Sequence, residues 1–592
     1  MPGIVGLITR KPRVVAEVEL ARMISTLRHE SSYTSGTWID EAAGVYVGWV
    51  AHAGSAMERM PIRNERGDVV MVFSGEDYSD AKPDGASYLV RVYESDAAFP
   101  TGLNGMFHGI VLDRARGSAT LFNDRYGMHR IYYTESPDAF YFAAEAKAIL
   151  AVRPERCAVD PRGLGEFVAC GCVLGNRTLF RDVNLLPGGA SWVFRDGALE
   201  RRASYFSPSQ WEAQTPLDPQ SHYESLRGVL ATRLPKYFNG SQAIGIALTG
   251  GLDTRLLMAW RNASRRPLHC YTFGSMLRES QDVRVARRVA DVCKQPYQVL
   301  TIGRDFLARF QQYAERSVFL TDGNIDLART PDLYVSEKAR TIAPVKIVGT
   351  YGSEVFTLAP TFRPTKPLAG LFDPQIVEQA RQAVQTYAEL RQLHPLTFTA
   401  FCQSPWSHHG VLSLEQTQLT VRSPFLDNDF IQAMYQAPHV SEASRDVRRK
   451  LIADEDPMLA AIPTDRGVGQ AGPFGRASRA YHEFTFKAEY AYDYGMPQRL
   501  AQIDHLLAGL RLERLFLGRH KMFHYRIWYR DALAGYVRDT LLAPRALARP
   551  YVVRQAVESV VEGHLKGNRN YTTEIHKLMA LELAHRQLVD AR

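Results

Sequence analysis

The chain has 592 residues, enough for two or more domains that each bury a core. With 45% hydrophobic and 23% charged residues it has the composition of an ordinary globular protein, and no window approaches 18 uninterrupted apolar residues, which excludes a membrane-spanning helix. The net charge of +8 comes from basic residues interleaved with acids, so a solvated surface is expected and nucleic-acid binding is not.

Residues 1 to 205 read as β-rich. Runs such as IVGLI (4–8), GVYVGWV (44–50), VVMVF (69–73), GMFHGIVLD (105–113), SATLFND (118–124), IYYTE (131–135) and AFYFAAE (139–145) are punctuated by Gly, Asp and Asn. That pattern predicts antiparallel strands, with helices near 14–28 and 84–95, in an α+β layered domain. The opening MPGIVGLITRKP carries its basic residues after the apolar run, the reverse of a secretory leader, so the cytoplasm is expected. Residues 206–222, rich in proline and polar groups, read as a linker.

From 223 onward strands alternate with helices: AIGIAL (243–248), a helical LDTRLLMAWRNA, LHCYTF (268–273), a helical SQDVRVARRVADVCKQ, YQVLTI and later VKIVG (345–349). This rhythm predicts an α/β domain with a parallel sheet. Beyond about residue 375 the chain reads as mostly helical, giving one unit of residues 223–592 with a helical C-terminal part. PTFRPTKPLAGLFDP (360–374) and RGVGQAGPFG (466–475) read as long loops of the kind that often touch substrates. Six scattered cysteines are expected to be reduced and mostly buried, and none falls in residues 1–156.

The chemistry centres on TGGLDT (249–254), between a predicted strand and a helix. Ligands of a parallel sheet bind beyond the carboxyl ends of its strands, where glycines let the backbone approach a phosphate and threonine hydroxyls can donate to it. Asp253 would repel a bare phosphate, so its place there implies Mg²⁺. The GxxxxGK[ST] and GxGxxG patterns are absent from this segment.

This loop resembles the SGGLDS pyrophosphate loop of the asparagine synthetase superfamily. CYTFG (270–274), ESQDVRVARRVA (279–290), VGTYGSEVF (348–356), TVRSPFLDNDFIQ (420–432) and RRKLIADEDPMLAAIP (448–463) resemble further segments of the family's synthetase half, in family order. PGIVGLI, FSGEDYS (73–79) and GMFHGIVLD…LFNDRYGMHRIYY (105–133) resemble its N-terminal glutaminase domain, which implies an Ntn-hydrolase-like αββα fold. The resemblance implies ATP and Mg²⁺ as cofactors, a small-molecule or peptide carboxylate that is adenylated, and an amine donor; a homo-oligomer is compatible with it. It places Leu248, Phe273, Val348 and Gly349 around adenosine, and Thr249, Gly250, Gly251, Leu252, Asp253 and Thr254 at the pyrophosphate.

Several positions depart from the family pattern. The second metal-binding aspartate is Ser353, so Glu354 is expected to serve as metal ligand with Asp253, or else to form an ordinary salt bridge. Lys450 stands at the earlier family lysine, and Arg466 replaces the lysine of the amide-forming step; both are expected to be catalytic. Pro2 occupies the place of the glutaminase nucleophile, Ser74 that of an oxyanion donor, and the glutamine-carboxylate arginine has no counterpart in residues 47–54. The expected protein is an ATP-dependent amide-forming ligase without glutaminase activity, using ammonia or, as in β-lactam synthetases and lasso-peptide cyclases, an amine of the substrate itself. The competing reading is a non-catalytic binding protein. SHHG (407–410) and the aromatic-basic run at 519–530 are read as packing segments.

Overall fold

In a computed structural model of the protein, the described residues are 1–79, 85–261, 267–438, 443–467 and 472–591. Two six-stranded antiparallel sheets make up the N-terminal layer pair. The first runs in the order 184–185, 132–135, 139–143, 3–9, 45–52, 33–40; the second in the order 198–201, 191–195, 118–123, 105–113, 69–77, 62–63.

The strand Gly3–Thr9 shows why the sheets stack. Successive side chains alternate faces, so Ile4 and Ile8 enter the core between the sheets, with Val70, Val72, Phe107 and Leu121. Val5 and Leu7 point the other way, onto Leu20, Met23 and Ile24 of the helix Arg13–Leu27. The helix Tyr88–Ser95 packs on the second sheet, completing an αββα sandwich as expected.

The strand Tyr33–Asp40 was not legible in the sequence, because its Ser, Thr and Gly residues hide the alternation. Gly36 is required there: a Cβ would fall 2.2 Å from the Trp49 ring on the paired strand. The stretch expected to be a linker is packed rather than free. Within it Trp211, on the short helix Ser209–Glu212, is buried against Phe206, Phe401 and Tyr435.

The second unit holds a five-stranded parallel sheet in the order 297–302, 269–275, 244–247, 345–347, 420–422. Its edge strand Thr420–Arg422 is three residues long and lies in a stretch otherwise helical, so periodicity could not reveal it. The C-terminal helices do not form a separate appendage. Tyr525, Ile575 and Leu578 share one core with Val5 and Leu20 of the N-terminal sandwich. Residues 360–369 are irregular, as expected, whereas Gly472–Tyr490 is a helix, so the expected loop 466–475 ends inside it; residues 468–471 lie outside the described residues. All six cysteines are free thiols, five of them buried. Among the described residues no helix is long and apolar enough to cross a membrane.

Candidate active site

Ile244–Ala247 is the central strand of the parallel sheet, so residues 248–252 emerge at its carboxyl end before the helix Asp253–Ala259. The loop is tied to itself through hydroxyls. Thr254 Oγ1 accepts from the Thr249 N–H at 3.2 Å and lies 3.2 Å from Thr249 Oγ1, which takes the Gly251 N–H at 3.4 Å. A Cβ on Gly251 would meet only Thr249 Oγ1, at 3.5 Å, so the loop is open on that side.

Gly250 is walled in by acids. Its N–H donates to Asp282 Oδ1 at 2.5 Å, and a Cβ there would sit 2.7 Å from the Asp465 Cβ. Burial raises the Asp282 carboxyl to about 7 and raises Asp465 as well. The buried Arg255 fastens this arrangement, donating to the carbonyls of Gly250 (3.3 Å), Pro463 (3.3 Å) and Ile462. Burial lowers its guanidinium to about 10.

The segment 348–354 closes on the same loop, and two glycines allow it. A Cβ on Gly349 would come within 2.8 Å of Thr254 Cγ2, and one on Gly352 within 2.7 Å of the Asp253 carboxyl. Val348 is buried beside them, and Leu248 accepts from Thr272 Oγ1 at 2.9 Å. Phe273 is partly buried on the neighbouring strand, with Lys346 Nζ 5.6 Å from its ring centre. The structure therefore brings Leu248, Thr249, Gly250, Gly251, Leu252, Asp253, Thr254, Phe273, Val348 and Gly349 to one end of the sheet. Glycine-lined backbone with free approach on one side fits a nucleotide polyphosphate.

The metal ligands expected at Asp253 and Glu354 are differently engaged. Asp253 accepts from Ser353 Oγ at 2.7 Å and is ion-paired with Arg448. Burial raises its carboxyl, against the pull of Arg448. Glu354 faces His408 Nε2 at 3.3 Å; burial pushes it up, but His408 holds it below the usual carboxylate range. Among the described residues no group of three or more His, Cys, Asp or Glu side chains is placed to hold a metal. The donor set present does not fit a protein-ligated divalent ion.

Lys450 lines a cavity of about 270 Å³ together with Leu252 and Arg255, but no hydrogen bond or ion pair joins it to the loop among the described residues. Its ammonium sits 3.7 Å from the centre of the Tyr223 ring on an exposed helix face, whereas Arg448, two residues earlier, turns inward. The helical register explains the displacement. The family segment that residues 448–463 resemble begins K-x-x-L, and placing Arg448 at its first position puts the fully buried Leu451 at its fourth, while Lys450 would put Ala453 there. Arg466 is adjacent to Asp465 but stacks on Phe486, 3.9 Å from its ring centre. Arg448, Arg255, Asp282 and Asp465 are the site residues that sequence reasoning missed; only the Leu451 register pointed to the first. Of the SHHG pair, His408 meets Glu354 and His409 turns to Tyr132 and Ser413.

A second cavity, of about 230 Å³, lies where the two units meet, lined by Pro2, His52, Ser74, Glu76, His129 and Arg422 among others. Ser74 Oγ is buried without a partner. Burial holds both His52 and His129 down to about 4. The lining contains no thiol.

Two family profiles match the chain and together cover more than half of it: "Glutamine amidotransferase domain" at residues 84–206 and "Asparagine synthase" at residues 226–453. A probable glutamine-hydrolysing asparagine synthetase of Schizosaccharomyces pombe is 24% identical over 45% of this chain and 48% of its own length. The glutamine-hydrolysing asparagine synthetase 2 of Bacillus subtilis is 24% identical over 43% of this chain and 38% of its own. The chain thus spans about half or less of these curated relatives. Among solved structures, a glutamine phosphoribosylpyrophosphate amidotransferase from B. subtilis overlaps 50% of this chain and 65% of its own at 9% identity, with a TM-score of 0.24.

Proposed function

The chain belongs to the asparagine synthetase superfamily, and on that premise we propose that it is an ATP-dependent amide-forming ligase. A carboxylate oxygen of the substrate attacks the α-phosphorus of ATP, the bond to the β-phosphate oxygen breaks, and pyrophosphate leaves. An amine nitrogen then attacks the acyl carbon, loses its proton and expels AMP. In this reading Leu248, Phe273, Val348 and Gly349 enclose adenosine. The N–H of Gly251, on the open side of the loop, and the hydroxyls of Thr249 and Thr254 take the charge that develops on the departing pyrophosphate.

The observation that carries the reading is the closure of residues 348–353 onto residues 249–254 at the carboxyl end of the sheet, with glycine at the two closest backbone approaches, Gly349 and Gly352. The N-terminal cavity supports a second element of the proposal, an amine that does not come from glutamine hydrolysis. Pro2 offers no side-chain nucleophile, Ser74 offers a hydroxyl in place of an amide donor, and the lining holds no cysteine. The amine is then free ammonia or a group on the substrate.

ATP–pyrophosphate exchange with a panel of carboxylates tests the proposal. Carboxylate-dependent exchange supports adenylation; ATP that neither binds nor exchanges with any of them returns the chain to the reading of a non-catalytic binding protein.

A further inference from the structure

Asp253 places a carboxylate beside the loop proposed to hold pyrophosphate, and two like charges so close repel strongly unless a cation stands between them. The structure shows which groups are positioned to help. Ser353 is neutral, Glu354 is engaged by His408, and no cluster suited to a divalent ion occurs among the described residues. Arg448, in contrast, is 7% exposed, ion-paired with Asp253, and held over the Phe356 ring with its guanidinium carbon 5.5 Å from the ring centre. Its Nε–H is buried without an acceptor. A guanidinium is charged at any physiological pH, and its planar fork of donors can bond a carboxylate and a phosphate together.

We infer that Arg448 takes the place of a protein-bound divalent cation, bridging Asp253 to the pyrophosphate group of the nucleotide. This rests on the ligase reading of the same loop. The two substitutions belong together: with aspartate at 353 the pocket would hold two carboxylates able to share a metal, whereas Ser353 leaves one, and Arg448 neutralises it. Only binding is assigned to this contact; no bond-making step passes through it.

Titration of the full chain with inorganic pyrophosphate, in EDTA and in excess Mg²⁺, tests the inference. Wild-type affinity should change by less than about threefold between the two conditions. Arg448→Ala should weaken binding in EDTA by about tenfold to a hundredfold, the size expected for losing a charge-assisted hydrogen bond. Because Arg448→Ala deprives the partly buried Asp253 carboxylate of its cationic partner, Arg448→Ala/Asp253→Asn is measured beside it and should show the same loss with a restored melting temperature. Arg448→Ala/Ser353→Asp should gain binding of Mn²⁺ alone, read by the loss of its free-ion electron paramagnetic resonance signal, where the wild type shows none. Pyrophosphate binding that requires Mg²⁺ in the wild type, or that survives Arg448→Ala unchanged in EDTA, overturns the inference. No pyrophosphate or ATP binding under any condition overturns the ligase reading with it.

Discussion

Glu76 and Arg422 join the two units of the molecule through a forked ion pair. Arg422 Nε lies 2.9 Å from one carboxylate oxygen, and its second terminal nitrogen lies 2.7 Å from the other. Arg422 comes from the edge strand of the parallel sheet, while Glu76 belongs to the Ser-Gly-Glu run beside Pro2. The same guanidinium donates to the carbonyls of Tyr237 and Asn239, each at 2.7 Å, and Glu76 also accepts from the Tyr78 hydroxyl at 2.5 Å. Glu76 is thereby part of the joint between the two units.

Arg422→Ala removes the cationic partner of Glu76, which keeps the Tyr78 hydroxyl, and the donor to two carbonyls. The expected loss is about 2–4 kcal/mol, in the range for breaking a largely buried charged network. It should appear as a lower denaturation midpoint, with Arg422→Lys intermediate because an ammonium has three donors, without the guanidinium's planar fork, for the four acceptor oxygens. A midpoint unchanged in both variants would show that the joint lies elsewhere.

Asp282 predicts a pH dependence. Burial, with Asp465 nearby, pushes its folded carboxyl up to about 7 from the ordinary aspartate range near 3.8. Between about pH 4 and 7 the folded state then holds the proton that the unfolded chain has lost, so this group makes stability fall as pH rises through that window. Asp282→Asn keeps an oxygen for the Gly250 N–H and removes the titration. Its stability–pH curve should be flatter there, with higher stability than wild type at pH 7. The same variant should lose the part of the decline in pyrophosphate affinity above pH 7 that comes from the carboxylate's own charge. Superimposable curves for the two proteins would refute the assignment.

Gly352→Ala should damage the site more than the fold. The added methyl group would sit 2.7 Å from the Asp253 carboxyl, forcing the 348–354 segment away from the loop. We expect a modest stability change of about 1–3 kcal/mol and loss of most ATP–pyrophosphate exchange. Full exchange in this variant would mean that the two segments need not touch.

Glutamine should not be hydrolysed. Incubation with glutamine should release no glutamate above the uncatalysed rate, and Pro2→Cys alone should not restore release, since the amide donor replaced by Ser74 and the carboxylate clamp would still be missing. Glutamate production by the wild-type protein would contradict this part of the proposal.

The sequence carried more of the fold than of the site. Contiguous motifs were readable because one short segment supplies the chemistry: Thr249 to Thr254 form the loop, and Gly349 to Ser353 lie against it. The N-terminal strands were readable where alternation was clean and lost where polar residues blurred it, as in Tyr33–Asp40. Contacts between distant segments were not readable. Asp282 reaches Gly250 across 32 positions, and Arg448 reaches Asp253 across 195. Lys450 illustrates the limit of matching residue type alone: two residues along a helix rotate a side chain by about 200°, and that sends its ammonium to Tyr223 rather than to the loop. Lys450→Ala should therefore leave exchange within about twofold of wild type, since an exposed cation–π contact contributes only about 0.5–1 kcal/mol.

The central claim is cleavage of ATP between its α and β phosphates, and phosphorus NMR of ATP consumed with a carboxylate that supports exchange tests it most directly. The account predicts AMP and pyrophosphate in equal amounts, dependent on the carboxylate. ADP and inorganic phosphate as the products would contradict it.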